Sequence, residues 1–189
     1  ISATVKERQG ALSVAADVLP IGRQRISAVD CTLVRGTGRW VCRLGRTSGD
    51  SSFEGQLQVD DVDLWWPHTH GAPAVYQAKL TVFTDDDLEP VVFDIGTVGF
   101  RTIELDSKGG NFALSVNGVP VFCRGACWTP IDVVRLCASP NDVEKAIGEV
   151  RRAGMNMLRV GGTMIYESDA FLDACDTQGI LLWHEFMFA

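Results

Sequence analysis

The sequence predicts two architectures in series: an all-β antiparallel sandwich over residues 1–106, then, over 107–189, a hairpin and the first two or so βα units of a parallel (β/α)8 barrel. Three observations carry this. From about Leu12 to Leu105 short runs alternate apolar and polar residues between Gly, Asp, Pro and Ser, the pattern of successive half-buried antiparallel strands. Beyond Phe112 the alternation gives way to a hairpin and then helix, strand, helix, strand. The last two of these strands end in polar side chains, Arg159 and His184-Glu185, and barrels of this kind build their sites at the C-terminal ends of their strands.

Taken in order, the strands of the first zone are Leu12 to Val18, Ile26 to Val34, Trp40 to Leu44, Tyr76 to Phe83 and Val91 to Val98. Gly36-Thr37-Gly38 and Asp85-Asp86-Asp87 suit the loops between them. The three aspartates read as a solvated turn, because a calcium loop needs ligands at fixed spacing, a central Gly and a closing Glu. Phe112 to Val116 and Val119 to Phe122 flank Asn117-Gly118, a strong hairpin signal. Ser139 caps a helix with Pro140 at its first position and Asp142 and Glu144 in its first turn. Val143, Ala146, Ile147, Val150 and Ala153 then recur at helical spacing until Gly154. The apolar strand Met155 to Val160 follows at once, and a parallel neighbour is where that helical face is buried. A second helix, roughly Asp169 to Thr177, leads through Gly179 into the strand Ile180 to Trp183.

Composition narrows the function. The formal charge is -7, with no cluster of Lys or Arg, which argues against nucleic acid. No apolar run approaches the ~20 residues of a membrane-spanning helix. The chain starts at Ile1 and not Met, so a leader cannot be judged and cytoplasmic, periplasmic and secreted locations stay open. The six cysteines read as buried free thiols, with disulfides left open because no pairing can be deduced; Cys123-x3-Cys127 has zinc-like spacing, but no second Cys or His pair follows, so neither metal nor cofactor is expected.

Five segments together carry a resemblance. Asp63-Leu64-Trp65-Trp66-Pro67, Gly99 to Leu105, Val116 to Trp128, Asn156 to Gly162 and Trp183 to Ala189 stand in the order found in the β-mannosidase branch of glycoside hydrolase family 2, and the sequence resembles that branch over roughly two-thirds of its length. The resemblance implies an immunoglobulin-like sandwich before a catalytic TIM barrel, and a retaining, exo-acting mechanism with one Glu as acid/base and another as nucleophile. Those two glutamates come from later barrel strands, so this stretch alone is expected to be inactive. A non-catalytic carbohydrate-binding module stays open as an alternative.

The site residues follow partly from chemistry and partly from the resemblance. Arg159 can donate two parallel hydrogen bonds to a carboxylate, and the matching arginine of the family positions the nucleophile. Trp128 and Asp132, read as lying in the loop after the hairpin, sit at the family's Trp-to-Asp separation, and an aromatic face with a carboxylate suits a sugar ring. Glu185 and His184 are expected behind Arg159, and Glu167 at the start of a helix. Trp65 and Trp66 are expected to pack between domains. Two departures, Gly161-Gly162-Thr163-Met164 after the strand and His184-Glu185 before Phe186-Met187-Phe188, leave sugar specificity open between β-mannosides and other β-glycosides such as glucosaminides or galactosides. The expected partners are a carbohydrate, the remaining domains of the parent chain, and, through the edge of the incomplete barrel, a further copy.

Overall fold

The computed structural model describes residues 1–20, 22, 24–47, 49, 51–85 and 89–188 and divides into two compact units. The first comprises Ile1–Asp63 and Val75–Phe100, the second Leu64–Ala74 and Arg101–Ala189.

The first unit has eight strands: β1 (Ser2–Lys6), β2 (Gln9–Asp17), β3 (Ile26–Arg35), β4 (Gly38–Arg43), β5 (Gly45–Arg46), β6 (Ser52–Val59), β7 (Tyr76–Thr84) and β8 (Val91–Val98). They form two antiparallel sheets, ordered β1-β2-β6-β5 and β4-β3-β7-β8, which is the ABED and C′CFG order of an immunoglobulin-type sandwich. Gly36, at φ 55°, makes the tight turn from β3 into β4. The Asp85 carboxylate accepts from the backbone N–H of Arg25 at 3.0 Å, while Asp86 and Asp87 of the expected loop lie outside the described residues.

Alternation along the strands sends Leu12, Val14, Val29, Leu33, Leu57, Val59 and Ala78 inward. Aromatic rings meet in this core: Trp40 meets Tyr76 edge-on at 5.7 Å, and Tyr76 meets Phe100 at 5.2 Å. Opposite Phe100 stands Gly10 on β2, where an added Cβ would lie 2.8 Å from the ring, so glycine is required for the sheets to close here. The hydroxyl of Tyr76 accepts from the N–H of Asp63 at 2.8 Å, which gives the buried phenol a partner.

The second unit begins with a small antiparallel sheet, ordered β11-β10-β9, of β9 (Ile103–Asp106), β10 (Ala113–Val116) and β11 (Val119–Val121). Strand β9, counted with the sandwich from sequence, thus pairs with the hairpin. Asn117 and Gly118 have φ of 51° and 76°, as a type I′ turn demands. The Asn117 side chain also accepts from Thr102 N at 2.9 Å and donates to Trp65 O at 3.0 Å.

A parallel sheet follows, ordered β12-β13-β14, from β12 (Gly125–Trp128), β13 (Met157–Val160) and β14 (Leu181–His184). Helix α1 (Pro140–Arg152) joins the first pair and α2 (Asp169–Gln178) the second. Ser139 Oγ accepts from Asp142 N at 3.2 Å and donates to its carboxylate at 2.7 Å, so the expected cap forms. Gly179, at φ 74°, ends α2 in the left-handed conformation. Val143 and Ile147 of α1, Phe171, Ala174 and Cys175 of α2, and Leu158, Val160 and Ile180 form the core between helices and sheet. Among the described residues no helix is long and apolar enough to cross a membrane.

The N-terminal ends of these strands are closed by polar contacts. Asn156 is fully buried; its Oδ1 accepts from Arg124 N at 2.8 Å and its Nδ2 donates to Phe122 O at 3.1 Å and Thr69 Oγ1 at 3.0 Å. The excursion Leu64–Ala74 belongs to this unit. Trp65, counted with the sandwich zone from sequence, falls in the second unit; it is 1% exposed, donates from Nε1 to Asp176 O at 2.7 Å and lies under the Arg101 guanidinium. His68 Nε2 meets Met155 O at 2.7 Å. Asn156→Leu therefore removes three bonds and leaves their part-buried partners unpaired; we expect a loss of about 3 kcal/mol, read from the urea midpoint, at about 1–3 kcal/mol per orphaned group.

Candidate functional site

Parallel pairing sets the site. In register, Cys127 lies beside Arg159 and Arg159 beside Trp183, while Trp128, Val160 and His184 form the next row. The C-terminal ends of three adjacent strands thus carry Cys127, Trp128, Arg159 and His184 on one rim, with Glu185 one residue further. The strand Gly125–Trp128 is a correction to the sequence reading, which places Trp128 in a loop.

Arg159 and Glu185 form one cluster. Arg159 Nε donates to Glu185 Oε1 at 2.8 Å and Nη2 approaches the same oxygen at 2.6 Å, while Gly162 N donates to Oε2 at 2.9 Å. The backbone of Glu185 is itself anchored, its N–H donating to Val160 O at 3.0 Å. The Gly162 N–H first, and Arg159 second, hold the Glu185 carboxyl below the usual glutamate range. In return the guanidinium pKa rises, chiefly through Glu185 and then through Cys127, whose Sγ lies 3.6 Å from Nη1. Glu185 is therefore a fixed anion, unsuited to giving up a proton, and Arg159 is held by one edge.

His184 lies beside this pair. Its Nδ1 is 3.0 Å from Glu185 O; a carbonyl only accepts, so Nδ1 carries the hydrogen and a neutral ring keeps Nε2 as an acceptor. The ring stacks on Tyr166 at 5.4 Å and 5°. Tyr166 Oη accepts in turn from Met187 N at 3.3 Å, a bracing role that nothing in the local sequence announces.

Trp128 and Glu167 form a second cluster. The indole N–H donates to Glu167 Oε1 at 2.8 Å, and the ring tilts against the buried Phe171 at 5.0 Å. A hollow of ≈ 150 Å³ lies here, with Pro130, Ile131, Leu136 and Tyr166 among its walls. Glu167, expected only to sit at a helix start, thus fixes the indole plane. Asp132 joins neither cluster: its Oδ1 accepts from Val134 N at 2.9 Å and Arg135 N at 2.8 Å, bonds that close its own turn.

Further cysteines differ from expectation, since Cys127 and Cys137 are exposed and only Cys31 and Cys175 are buried. Among the described residues no group of three or more His, Cys, Asp or Glu could hold a metal ion. Along β14, a groove of ≈ 760 Å³ runs between the small sheet and the parallel sheet, walled by Leu114, Pro120, Phe122, Met157, Leu182 and Trp183. Phe112 stacks on Trp183 there at 5.4 Å.

A β-sandwich followed by parallel βα units, with an arginine–carboxylate pair and an indole at the strand ends, defines the class to which known proteins can be compared. The chain is similar to β-mannosidases. It is 33% identical over 156 residues to beta-mannosidase B of Aspergillus niger, covering 80% of this chain and 18% of that one. It is 38% identical over 135 residues to the beta-mannosidase of Capra hircus, covering 68% of this chain and 15% of that one. Among solved structures, the beta-D-mannosidase of Dictyoglomus thermophilum matches 97% of this chain and 23% of its own, at 29% identity and a TM-score of 0.75. A beta-glucuronidase of Parabacteroides merdae matches 98% of this chain and 23% of its own at 21% identity and a TM-score of 0.76, a likeness of fold alone. The chain spans less than a fifth of the length of these curated relatives, at 18% and 15%. No protein-family model matches it.

Proposed function

We propose that this chain is part of a glycoside hydrolase family 2 enzyme of the β-mannosidase branch, a retaining exo-glycosidase acting on terminal β-D-mannosides. The Arg159–Glu185–Gly162 cluster at the strand ends, in a chain similar to β-mannosidases along most of its length, carries the reading. In this reading the βα units open the catalytic barrel.

Each residue then has a role that its geometry supports. Glu185 holds one edge of Arg159, so the guanidinium meets a second carboxylate, the nucleophile, with its direction set and its charge secured. Trp128, kept in plane by Glu167, offers an apolar face to the sugar ring. Glu185, pinned as an anion, cannot deliver a proton as the acid/base, and both its oxygens are taken by Arg159 and the Gly162 N–H, while the Glu167 carboxylate is occupied by the indole. The acid/base and the nucleophile belong to the parent beyond residues 1–189, so the chain alone is inactive. Asp132 can take a sugar hydroxyl only through Oδ2, which now faces Arg135 Nε at 3.9 Å.

The parent should hydrolyse an aryl β-mannoside faster than the matching glucoside, galactoside and glucosaminide. Inactivity on all four removes the proposal, and preference for another sugar removes its mannoside part. Within the same assay Glu167→Ala frees the indole and is expected to raise KM about tenfold, a loss of roughly one hydrogen bond to a charged group. Glu167→Gln keeps an acceptor and should lose less.

A further inference from the structure

We propose that Cys31 and Cys42 form a reversible cross-strand disulfide site in the sandwich, one that exchanges with small-molecule disulfides such as glutathione disulfide. The two residues are directly paired on β3 and β4. Both lie on the inner face, as the buried Cys31 and Leu33 and the half-buried Trp40 and Cys42 show.

Register alone brings them within reach. Leu44 N donates to Val29 O at 2.9 Å, and two residues along the same ladder Cys31 and Cys42 form a hydrogen-bonded pair. Such pairs have Cα atoms about 5.5 Å apart, inside the ~4.4–6.8 Å span of disulfides. Their β-carbons, however, stand about 5 Å apart in such pairs, against about 3.8 Å in a relaxed disulfide. Closure must draw the strands together locally. Strand β4 is at the edge of its sheet and can give, so the bond forms under strain, and strained disulfides are the readily reduced ones.

Access is one-sided, which orders the steps. The thiolate of half-buried Cys42 attacks glutathione disulfide, forming a mixed disulfide and releasing one glutathione thiolate. The thiolate of Cys31 then attacks Cys42 Sγ, forming the internal bond and releasing the second glutathione; two protein protons leave with the two glutathione thiols, and the electrons balance. Burial, aided by the neighbouring thiol, pushes Cys31 up to about 11, and burial also raises Cys42. Both therefore rest as thiols in a reducing compartment.

Peptide mapping of the whole protein tests this. The protein is equilibrated with glutathione disulfide, unfolded in excess N-ethylmaleimide and digested with trypsin, which separates Ile26–Arg35 from Trp40–Arg43. The expected product is these two peptides joined, lighter by two hydrogens, free of glutathione, and parted by dithiothreitol. In Cys31→Val the resolving thiol is gone, and glutathione should accumulate on Cys42. Should that variant fail to fold, the wild-type map still decides. Both thiols alkylated at every glutathione ratio, a stable glutathione adduct on wild-type Cys42, or bonding of either to another cysteine would each overturn the proposal.

Discussion

Replacing Arg159 by Lys in the proposed parent glycosidase is expected to lower kcat about 100-fold with KM little changed, the scale at which a misplaced catalytic group costs rate. An ammonium is a point charge on a flexible stem: it can keep one contact to Glu185 but cannot present a fork to two carboxylates at once. The present geometry shows what would be lost, since Nε and Nη2 both address Glu185 Oε1 and leave the rest of the guanidinium directed by that edge. The Arg159 side chain is 46% exposed, so the denaturation midpoint should stay near wild type and separate the effect from unfolding. A variant that keeps its kcat, or loses it only with its fold, would remove the positioning role.

The Glu185 partner gives this result a pH signature. Its pKa is lowered in the folded protein, so the anion and the contacts it makes are present above the ordinary glutamate range and are lost as pH falls through the depressed value. An acid limb due to this pair therefore lies below that range. Glu185→Gln should abolish that limb and cost about tenfold in kcat, because a neutral amide makes weaker bonds to the guanidinium than a carboxylate does.

Much of this was legible in the chain because local chemistry and burial agree there. Asn117-Gly118 needs two positive φ angles and obtains them, and Ser139-Pro140 with Gly154 brackets α1 where the apolar spacing begins and ends. Strand β6 escaped because Glu54, Gln56 and Gln58 alternate with only Phe53, Leu57 and Val59, and Gly55 interrupts the inner face where Leu44 packs. Strand β12 escaped for another reason. Gly125-Ala126-Cys127-Trp128 has neither branched residues nor alternation, and its pairing is imposed by β13, not by its own propensity. The same holds for the site: the Arg159 and Glu185 pair follows from adjacent strand ends, whereas the Glu167 bond to Trp128 joins a loop to a strand unseen in sequence.

That hidden strand carries the largest expected loss of stability. A Cβ at Gly125 would lie 1.8 Å from the carbonyl oxygen of Met157, an overlap with main chain that no rotamer relieves. Gly125→Ala must push β12 away from β13 at its first residue. There Asn156 N donates to Arg124 O at 2.8 Å, and Arg124 N donates back to the buried Asn156 side chain. The backbone must therefore shift at the point where the polar plug is densest, and we expect a cost of at least about 3 kcal/mol, the upper range for overpacking. Gly161→Ala is the control, since its added Cβ would meet nothing within 4 Å; it should stay within about 0.5 kcal/mol. Urea unfolding of both variants checks the pair, and a Gly125→Ala midpoint equal to the control's would mean that β12 is not seated against β13. Because Trp128 lies three residues beyond Gly125 on the same strand, the displacement should also raise KM in the parent, joining the close approach of β12 to β13 to the proposed sugar platform.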